Sequence, residues 1–125
     1  MAEQHAHAKV YRFPELPADR PMELLERRRV HGEHITVAQI RLEKGCQVPL
    51  HQHENEQFSL IVLGRLRFEI GGEGSADRRE LVLLPGELLH LPPNVPHSAF
   101  AEEETLVLDL FSPPATTSGI DQKNA

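Results

Sequence analysis

Residues 45–64, GCQVPLHQHENEQFSLIVLG, decide the interpretation of this sequence, because they contain His51 and His53, separated by a single residue, between two glycines. In an extended strand, side chains at positions i and i+2 point to one face about 6.6–6.8 Å apart, so two imidazoles can converge on one metal ion. Gln57 follows four residues later, and His97 follows a proline-rich corner forty residues beyond Gln57, where a neighbouring antiparallel strand can present it to the same point. The alternative is a pair of solvated loop histidines that happen to alternate.

Three neutral imidazoles and one amide oxygen would form a mixed nitrogen and oxygen ligand set. Such a set suits one borderline divalent transition metal, namely Ni, Zn, Fe, Mn or Cu. It does not suit Ca or Mg, which prefer shells made entirely of oxygen. The predicted cofactor is therefore a single transition metal ion.

The rest of the chain is punctuated like a protein of many short strands. Its 10 prolines and 8 glycines separate short apolar runs, which is typical of a sandwich or barrel. Residues 35–42 alternate between apolar and polar side chains, so we expect a strand with one buried face. Residues 58–63 are apolar at nearly every position, which predicts a central strand covered on both faces by a second sheet or another subunit. We expect an all-β fold of about seven to nine strands.

The length of 125 residues predicts a single domain. We place its core at about residues 30–112, an N-terminal arm at 1–29 and a loose C-terminal tail at 113–125. Within the arm, residues 21–29 form either a short helix or an extended segment. The strand region at residues 8–13 and the two-faced apolarity of residues 58–62 predict a homodimer, since a lone barrel of this size would leave that surface uncovered.

Charge and composition disfavour nucleic acid and membranes as partners. The 13 Lys and Arg residues against 19 Asp and Glu give a net charge of -6, which disfavours nucleic acid. No apolar run approaches the ~18 residues that a membrane span needs. Cys46 is the only cysteine and residues 1–10 lack a signal-peptide pattern, so a cytoplasmic location is expected.

Residues 45–64 resemble the first motif of the cupin superfamily. That motif runs Gly, five residues, His-x-His, three or four residues, Glu, six residues, Gly. The same spacings are met here, with glutamine at the glutamate position, by Gly45, His51, His53, Gln57 and Gly64.

Residues 86–101 resemble the second cupin motif, which runs Gly, five residues, Pro-x-Gly, two residues, His, three residues, Asn. Here the histidine is His97, while Asn94 and Ala101 stand where Gly and Asn are usual. The resemblance covers about residues 35–111 and implies a double-stranded β-helix, the jelly-roll barrel.

Carried over by position, the resemblance makes His51, His53, Gln57 and His97 the metal ligands. A neutral Gln57 in place of a carboxylate leaves the charge of the ion uncompensated, which favours Lewis-acid chemistry over redox chemistry with O2. The superfamily itself includes dioxygenases, isomerases, lyases, cyclases, sugar-binding regulators and seed storage proteins, so it does not define the activity.

A closer resemblance is to single-domain cupins of the pectin-degradation type, whose associated activity is ketonisation of an unsaturated uronate. It rests on residues 56–57, 64–68 and 107–114, the last reading VLDLFSPP. It implies that Asp109 and Phe111 face the pocket. Ala115 stands where these proteins carry an arginine that holds the substrate carboxylate, so that bidentate clamp is missing.

Asp109 is the candidate catalytic residue. It shares one face of an apolar strand with Val107 and Phe111, where an unpaired buried carboxylate would be costly. It is either a general acid and base with a raised pKa or a structural residue bonded to backbone amides or an arginine. His90 is a second pocket candidate, or else a core histidine bonded to the backbone.

Three functions remain open at this point. The first is a metal-dependent lyase, isomerase or cyclase that acts on a sugar acid or another carbonyl compound. The second is a non-haem iron or copper dioxygenase, and the third is a non-catalytic module that binds a small ligand.

Overall fold

The computed structural model describes the backbone of residues 2–5 and residues 7–115 in full, and these residues are almost entirely β-structure. The helical structure described there is one 3-10 turn, Phe13–Glu15, and no helix in this part of the chain is long and apolar enough to cross a membrane. The twelve strands are β1 Ala2–His5, β2 Ala8–Tyr11, β3 Asp19–Met22, β4 Leu25–His31, β5 Thr36–Leu42, β6 Gln47–His51, β7 Glu56–Leu63, β8 Leu66–Ile70, β9 Arg79–Leu83, β10 Leu88–Leu91, β11 His97–Ala101 and β12 Thr105–Ser112.

Two antiparallel sheets form the barrel. One has six strands in the order β10-β7-β12-β5-β4-β3, and the other has four in the order β6-β11-β8-β9. Strands β1 and β2 pair with each other as a separate hairpin. The expected all-β jelly roll is confirmed, with more strands than the expected seven to nine because the N-terminal segments are also extended.

The core lies between the two sheets and follows the alternation of the strands. In β5 the buried positions are every second residue from Thr36 to Leu42, as the sequence pattern predicts. The facing sheet contributes Leu66 and Phe68 from β8, which are 2% and 4% exposed. Alternate side chains of β5 and β8 therefore point into one shared interior.

Strand β7 lies inside its sheet, between β10 and β12, as predicted. Only its inner face is covered by the chain itself, because Phe58 and Val62 on the outer face remain 36% and 43% exposed. The expectation that both faces are covered is thus not met within one chain. Covering by another subunit stays a prediction.

Two residues between strands have a positive φ, a backbone conformation that most residue types disfavour. Gly64, between β7 and β8, has a φ of 94°, and a Cβ there would collide with the carbonyl oxygen of Glu104, so only glycine fits. Asn94, at the position where the cupin motif carries glycine, has a φ of 64°. Asparagine tolerates this left-handed conformation better than most residues, so the motif's turn survives the substitution.

The packed body begins earlier than residue 30 and continues past residue 112. Residues 25–31 form β4 in the six-stranded sheet, with Leu25 fully buried and Arg27 held by two hydrogen bonds to the Asp19 carboxylate. Ala115, assigned to the tail from sequence, is 5% exposed and donates its N–H to Thr36 Oγ1. Residues 116–125 of the predicted tail lie outside the described residues.

Candidate metal centre

The fold brings three histidines from one end of the four-stranded sheet to a single point. His51 is the last residue of β6 and His97 the first of β11, and the two are partners in the strand register. His53 lies just beyond β6, in the connection to β7. One ring nitrogen from each histidine lies within 4.8 Å of the others, which is close enough for all three to bind one ion.

The backbone orients each imidazole in the same way. In every ring Nδ1 donates its proton to a backbone carbonyl two residues away, which leaves Nε2 free to bind a metal. The three bonds are His51 to Pro49 at 2.7 Å, His53 to Asn55 at 3.0 Å and His97 to Val95 at 2.9 Å. The tautomer that a metal site needs is thus set by the chain itself.

The surroundings also keep two of the imidazoles neutral. Burial, reinforced by the nearby His51, lowers the pKa of His97 from 6.5 to about 4. Burial likewise lowers the pKa of His51, with a smaller contribution from His53. At neutral pH these rings are unprotonated, which is the form that binds metals.

A buried chain of hydrogen bonds runs from this cluster to Asp109. The Ser59 hydroxyl donates to Asp109 Oδ1 at 2.6 Å, and Ser59 Oγ accepts from Gln57 Nε2 at 2.9 Å. Strand pairing explains the contact, because Asp109 of β12 lies directly opposite Ser59 of β7. With its Nε2 engaged in this way, the Gln57 amide turns its Oε1 toward His53 Nε2, at 3.0 Å.

This last contact tests whether the residues fit a metal ion. His53 uses its Nδ1 proton on Asn55, so Nε2 is the atom left to bind a metal, and Gln57 Oε1 beside it carries only lone pairs. A cation bound by both atoms would satisfy them together. The donor set of three imidazole nitrogens and one amide oxygen suits a borderline divalent metal, so the side chains fit such an ion.

Asp109 is buried at 7% exposure, and its burial raises the pKa from 3.8 to about 6. Hydrogen bonds from Ser59 and Gln57 act in the opposite direction and limit the rise. The carboxyl is therefore bonded to side chains within the barrel, namely Ser59 and Gln57. Its raised pKa lies in a range suited to proton exchange near neutral pH.

The histidines, Gln57 and Asp109 line one cavity inside the barrel, with an empty volume of about 450 Å³ counted to its open mouth. Phe111 lines it too, and its ring packs edge-on against His53 at 5.7 Å between centroids. The structure therefore brings together every predicted metal ligand, the candidate catalytic residue and one of the two predicted pocket residues.

His90 is the exception, and its expected place in the pocket is wrong. Its side chain lies on the outer face of the sheet, 47% exposed, where Nε2 lies 2.6 Å from Glu56 Oε2 and the ring stacks on Phe58 at 4.5 Å. The register pairs His90 with Phe58, whose side chain points outward, so His90 points outward as well.

Ser59 is the residue that reasoning from sequence missed. It is fully buried and joins Gln57 to Asp109. Its place two residues after Gln57 puts both side chains on the inner face of β7. This alternation could have placed Ser59 in the interior. Its contact with Asp109 could not be foreseen, because Asp109 lies fifty residues away in sequence.

Comparison with known proteins agrees with this architecture. The cupin domain family matches residues 38–111. An RmlC-like cupin from Shewanella frigidimarina superposes with a TM-score of 0.77 at 22% identity, over 92% of this chain and 96% of that one. KdgF from Halomonas sp. superposes with a TM-score of 0.69 at 27% identity, over 80% of this chain and 90% of that one.

Oxalate decarboxylase from Bacillus subtilis, a protein with Mn(II) centres, superposes with a TM-score of 0.75 at 21% identity, over 86% of this chain but 30% of that longer one. No curated protein sequence matches this chain. A barrel of two antiparallel sheets with a three-histidine cluster inside defines the class. This chain belongs to the cupin domain family, and it is a small cupin whose fold resembles those of the RmlC-like cupin and KdgF.

Proposed function

We propose that this chain is a metal-dependent enzyme, a lyase, isomerase or cyclase that acts on a small carbonyl compound. The observation that carries the proposal is Asp109, a buried carboxyl with a pKa of about 6 that lines the same cavity as the three imidazoles. A carboxyl beside a metal site, in one cavity, is an arrangement suited to proton transfer next to a carbonyl.

His51, His53, His97 and Gln57 would hold the ion. A divalent ion supplies Lewis-acid polarisation of an oxygen atom when bound there. All four side chains are neutral, so they leave the positive charge available to polarise that oxygen. Asp109 is hydrogen-bonded to Ser59 and Gln57, so its carboxyl adjoins the proposed ligands without being one of them.

Asp109 holds and moves the proton in this proposal. Its Oδ1 is fixed by the Ser59 hydroxyl, so the carboxyl is oriented before substrate enters. Because burial brings its pKa to about 6, Asp109 can accept a proton from a carbon next to a carbonyl and return it elsewhere on the same molecule. Isomerisation follows when the proton returns to another atom of the same molecule, and elimination follows when a bond to a leaving group breaks and Asp109 gives the proton to that departing group.

The experiment uses protein loaded separately with Ni, Zn, Fe, Mn or Cu ions and a panel of small ketones, 2-oxo acids and 1,3-dicarbonyl compounds in D2O. We expect deuterium to enter at the carbon next to the carbonyl, as read by NMR. Asp109→Asn should abolish the exchange while binding the same amount of metal, and His90→Gln on the outer face should not alter it. Exchange that persists in Asp109→Asn contradicts the proposed role.

The same preparations separate the other candidate functions. Consumption of O2 by the iron or copper form would favour the dioxygenase, and tight binding of a compound without exchange or turnover would favour a binding module.

We also propose that two copies associate through the outer face of the six-stranded sheet. Support comes from the apolar residues exposed there, with Phe58 at 36%, Val62 at 43% and Leu88 at 56%. Side chains of this kind, adjacent on neighbouring strands, are typical of a protein interface.

A further inference from the structure

The cavity wall divides into a polar end and an apolar remainder. The polar side chains are the three clustered histidines, Gln57 and Asp109, which adjoin one another through the contacts described above. The remaining lining residues come from both sheets and are all apolar: Leu25, Ile40, Leu42, Val48, Leu66, Phe68, Ala99, Val107 and Phe111. Every hydrogen-bonding side chain that lines the cavity is therefore at the proposed metal site.

The lining residues include no arginine or lysine. Arg27, which follows Leu25 by two residues on β4, is bound through two of its nitrogens to the Asp19 carboxylate and does not line this cavity. Ala115, which follows β12, is a buried part of the core and brings no charge to it. A second negative charge on a substrate would therefore have no arginine or lysine in the cavity lining to pair with.

These features limit which molecules the cavity can bind. A hydroxyl group that leaves water for an apolar wall loses its hydrogen bonds and gains none, which lowers affinity about ten-fold for each such group. A sugar acid carries hydroxyls along most of its length, so the apolar wall would penalise several of them at once. An alkyl or alkenyl chain against the same wall is favoured by burial.

We propose that the substrate is a small molecule with one oxygenated end, which lies at the metal site, and an apolar body without hydroxyls or a second charge. This inference rests on the proposed metal-dependent function, because the metal site is what would receive the oxygenated end. The class includes short-chain 2-oxo acids and 1,3-diketones, and it excludes uronates and other polyhydroxylated acids.

The test uses two probes that share a metal-binding group and a carbon count. Butanohydroxamate carries an alkyl body, and 2,3,4-trihydroxybutanohydroxamate carries a hydroxyl on each body carbon. Nickel-loaded protein is titrated with each by calorimetry, after elemental analysis has established the metal content. Because two or more of the hydroxyls would lie against the wall, we expect butanohydroxamate to bind about 100-fold more tightly.

A pair of variants tests whether the preference for the alkyl probe comes from the apolar side chains that line the cavity. Val48 lines the cavity at 5% exposure, so Val48→Thr gives the wall a hydroxyl and should narrow the affinity ratio several-fold. Val82→Thr makes the same change at an exposed position of β9 and should leave the ratio unchanged.

Equal or tighter binding of the trihydroxy probe overturns the substrate class while leaving the metal site intact. Failure of both probes to bind nickel-loaded protein overturns it as well, because the cavity would then not admit the class. Failure of the protein to bind nickel or any of the other four ions overturns the proposed function itself, and elemental analysis detects this before any probe is added.

Discussion

Replacing Ser59 by alanine should weaken both the fold and the metal site. The Ser59 side chain is fully buried, and it is the donor to Asp109 at 2.6 Å and the acceptor from Gln57 at 2.9 Å. A hydrogen bond to a charged group contributes about 1.5–3 kcal/mol and a neutral one about 1 kcal/mol. The variant should therefore lose about 2–4 kcal/mol of unfolding free energy at neutral pH, a drop of roughly 10 °C in Tm.

The effect on metal binding follows from the orientation of the Gln57 amide. Without Ser59 Oγ, the Gln57 amide loses the 2.9 Å bond from its Nε2, and Asp109, which Ser59 no longer holds, is left as the group that orients it. Losing a group that orients a ligand typically lowers metal affinity about 10–100-fold. Competition titration against a chromophoric chelator measures this affinity, and urea denaturation of the metal-free protein measures the stability separately.

Two further variants make the test of Ser59 decisive. Ser59→Thr keeps the hydroxyl and should recover most of the metal affinity even if its extra methyl group costs stability. Ser112→Ala removes an exposed hydroxyl of the same sheet, which bonds the His34 carbonyl, and should leave the affinity unchanged. Unaltered metal affinity in Ser59→Ala, beside the expected loss of stability, would refute the positioning of Gln57 through Ser59.

Three other predictions concern pH, a turn and association. The raised pKa of Asp109 adds about 3 kcal/mol to the unfolding free energy below pH 3.8, and this contribution is lost as the pH rises through about 6. The lowered pKa of His97 stabilises the fold above pH 6.5, and that contribution is lost as the pH falls toward 4. In metal-free protein between pH 4 and 6, the stability of Asp109→Asn to urea should therefore rise with pH more steeply than that of wild type. The stability of His97→Asn should rise less steeply than that of wild type or fall, although the lowered pKa of His51 still acts in the rising direction. The opposite changes of slope would contradict the assigned causes. Gly64→Ala should lower the free energy of unfolding by about 2–4 kcal/mol, because its Cβ would collide with a neighbouring carbonyl. Gly74→Ala has a similar positive φ but open space around it, so it should lower that free energy by only about 1 kcal/mol. Equal urea midpoints for the two variants would exclude the collision. Phe58→Glu should convert a dimer into a monomer in sedimentation velocity, and a wild type that sediments as a monomer would remove the proposed interface.

Sequence reasoning succeeded where one local pattern determined the answer. The alternation in residues 36–42 appears directly as the buried face of β5. The spacings of the two motifs correctly indicated the fold, since they correspond to the strand ends that carry His51 and His97. The assignment of Gln57 to the metal site agrees with its buried position on the inner face of β7.

It failed where both parities of a strand carry the same kind of residue. In Leu88–Leu91 both faces are apolar apart from His90, so the sequence does not indicate the direction of that histidine, which is set by the pairing with β7. In β4 the run of arginines places charged side chains on both faces, so the sequence shows no alternation that would predict a strand. The burial of Arg27 depends on Asp19, a partner on a different strand.

The central claim is that His51, His53, Gln57 and His97 hold one metal ion, and elemental analysis tests it most directly. Protein purified without a histidine tag is exposed to each of the five candidate ions, desalted and analysed by inductively coupled plasma mass spectrometry. The His51→Ala/His97→Ala double variant is measured beside it, with His7→Ala/His34→Ala as a control that changes two exposed histidines outside the cluster. We expect about one ion per chain in wild type and control and almost none in the first variant. Wild-type protein that binds none of the five ions, or equal metal content in all three proteins, would contradict the account.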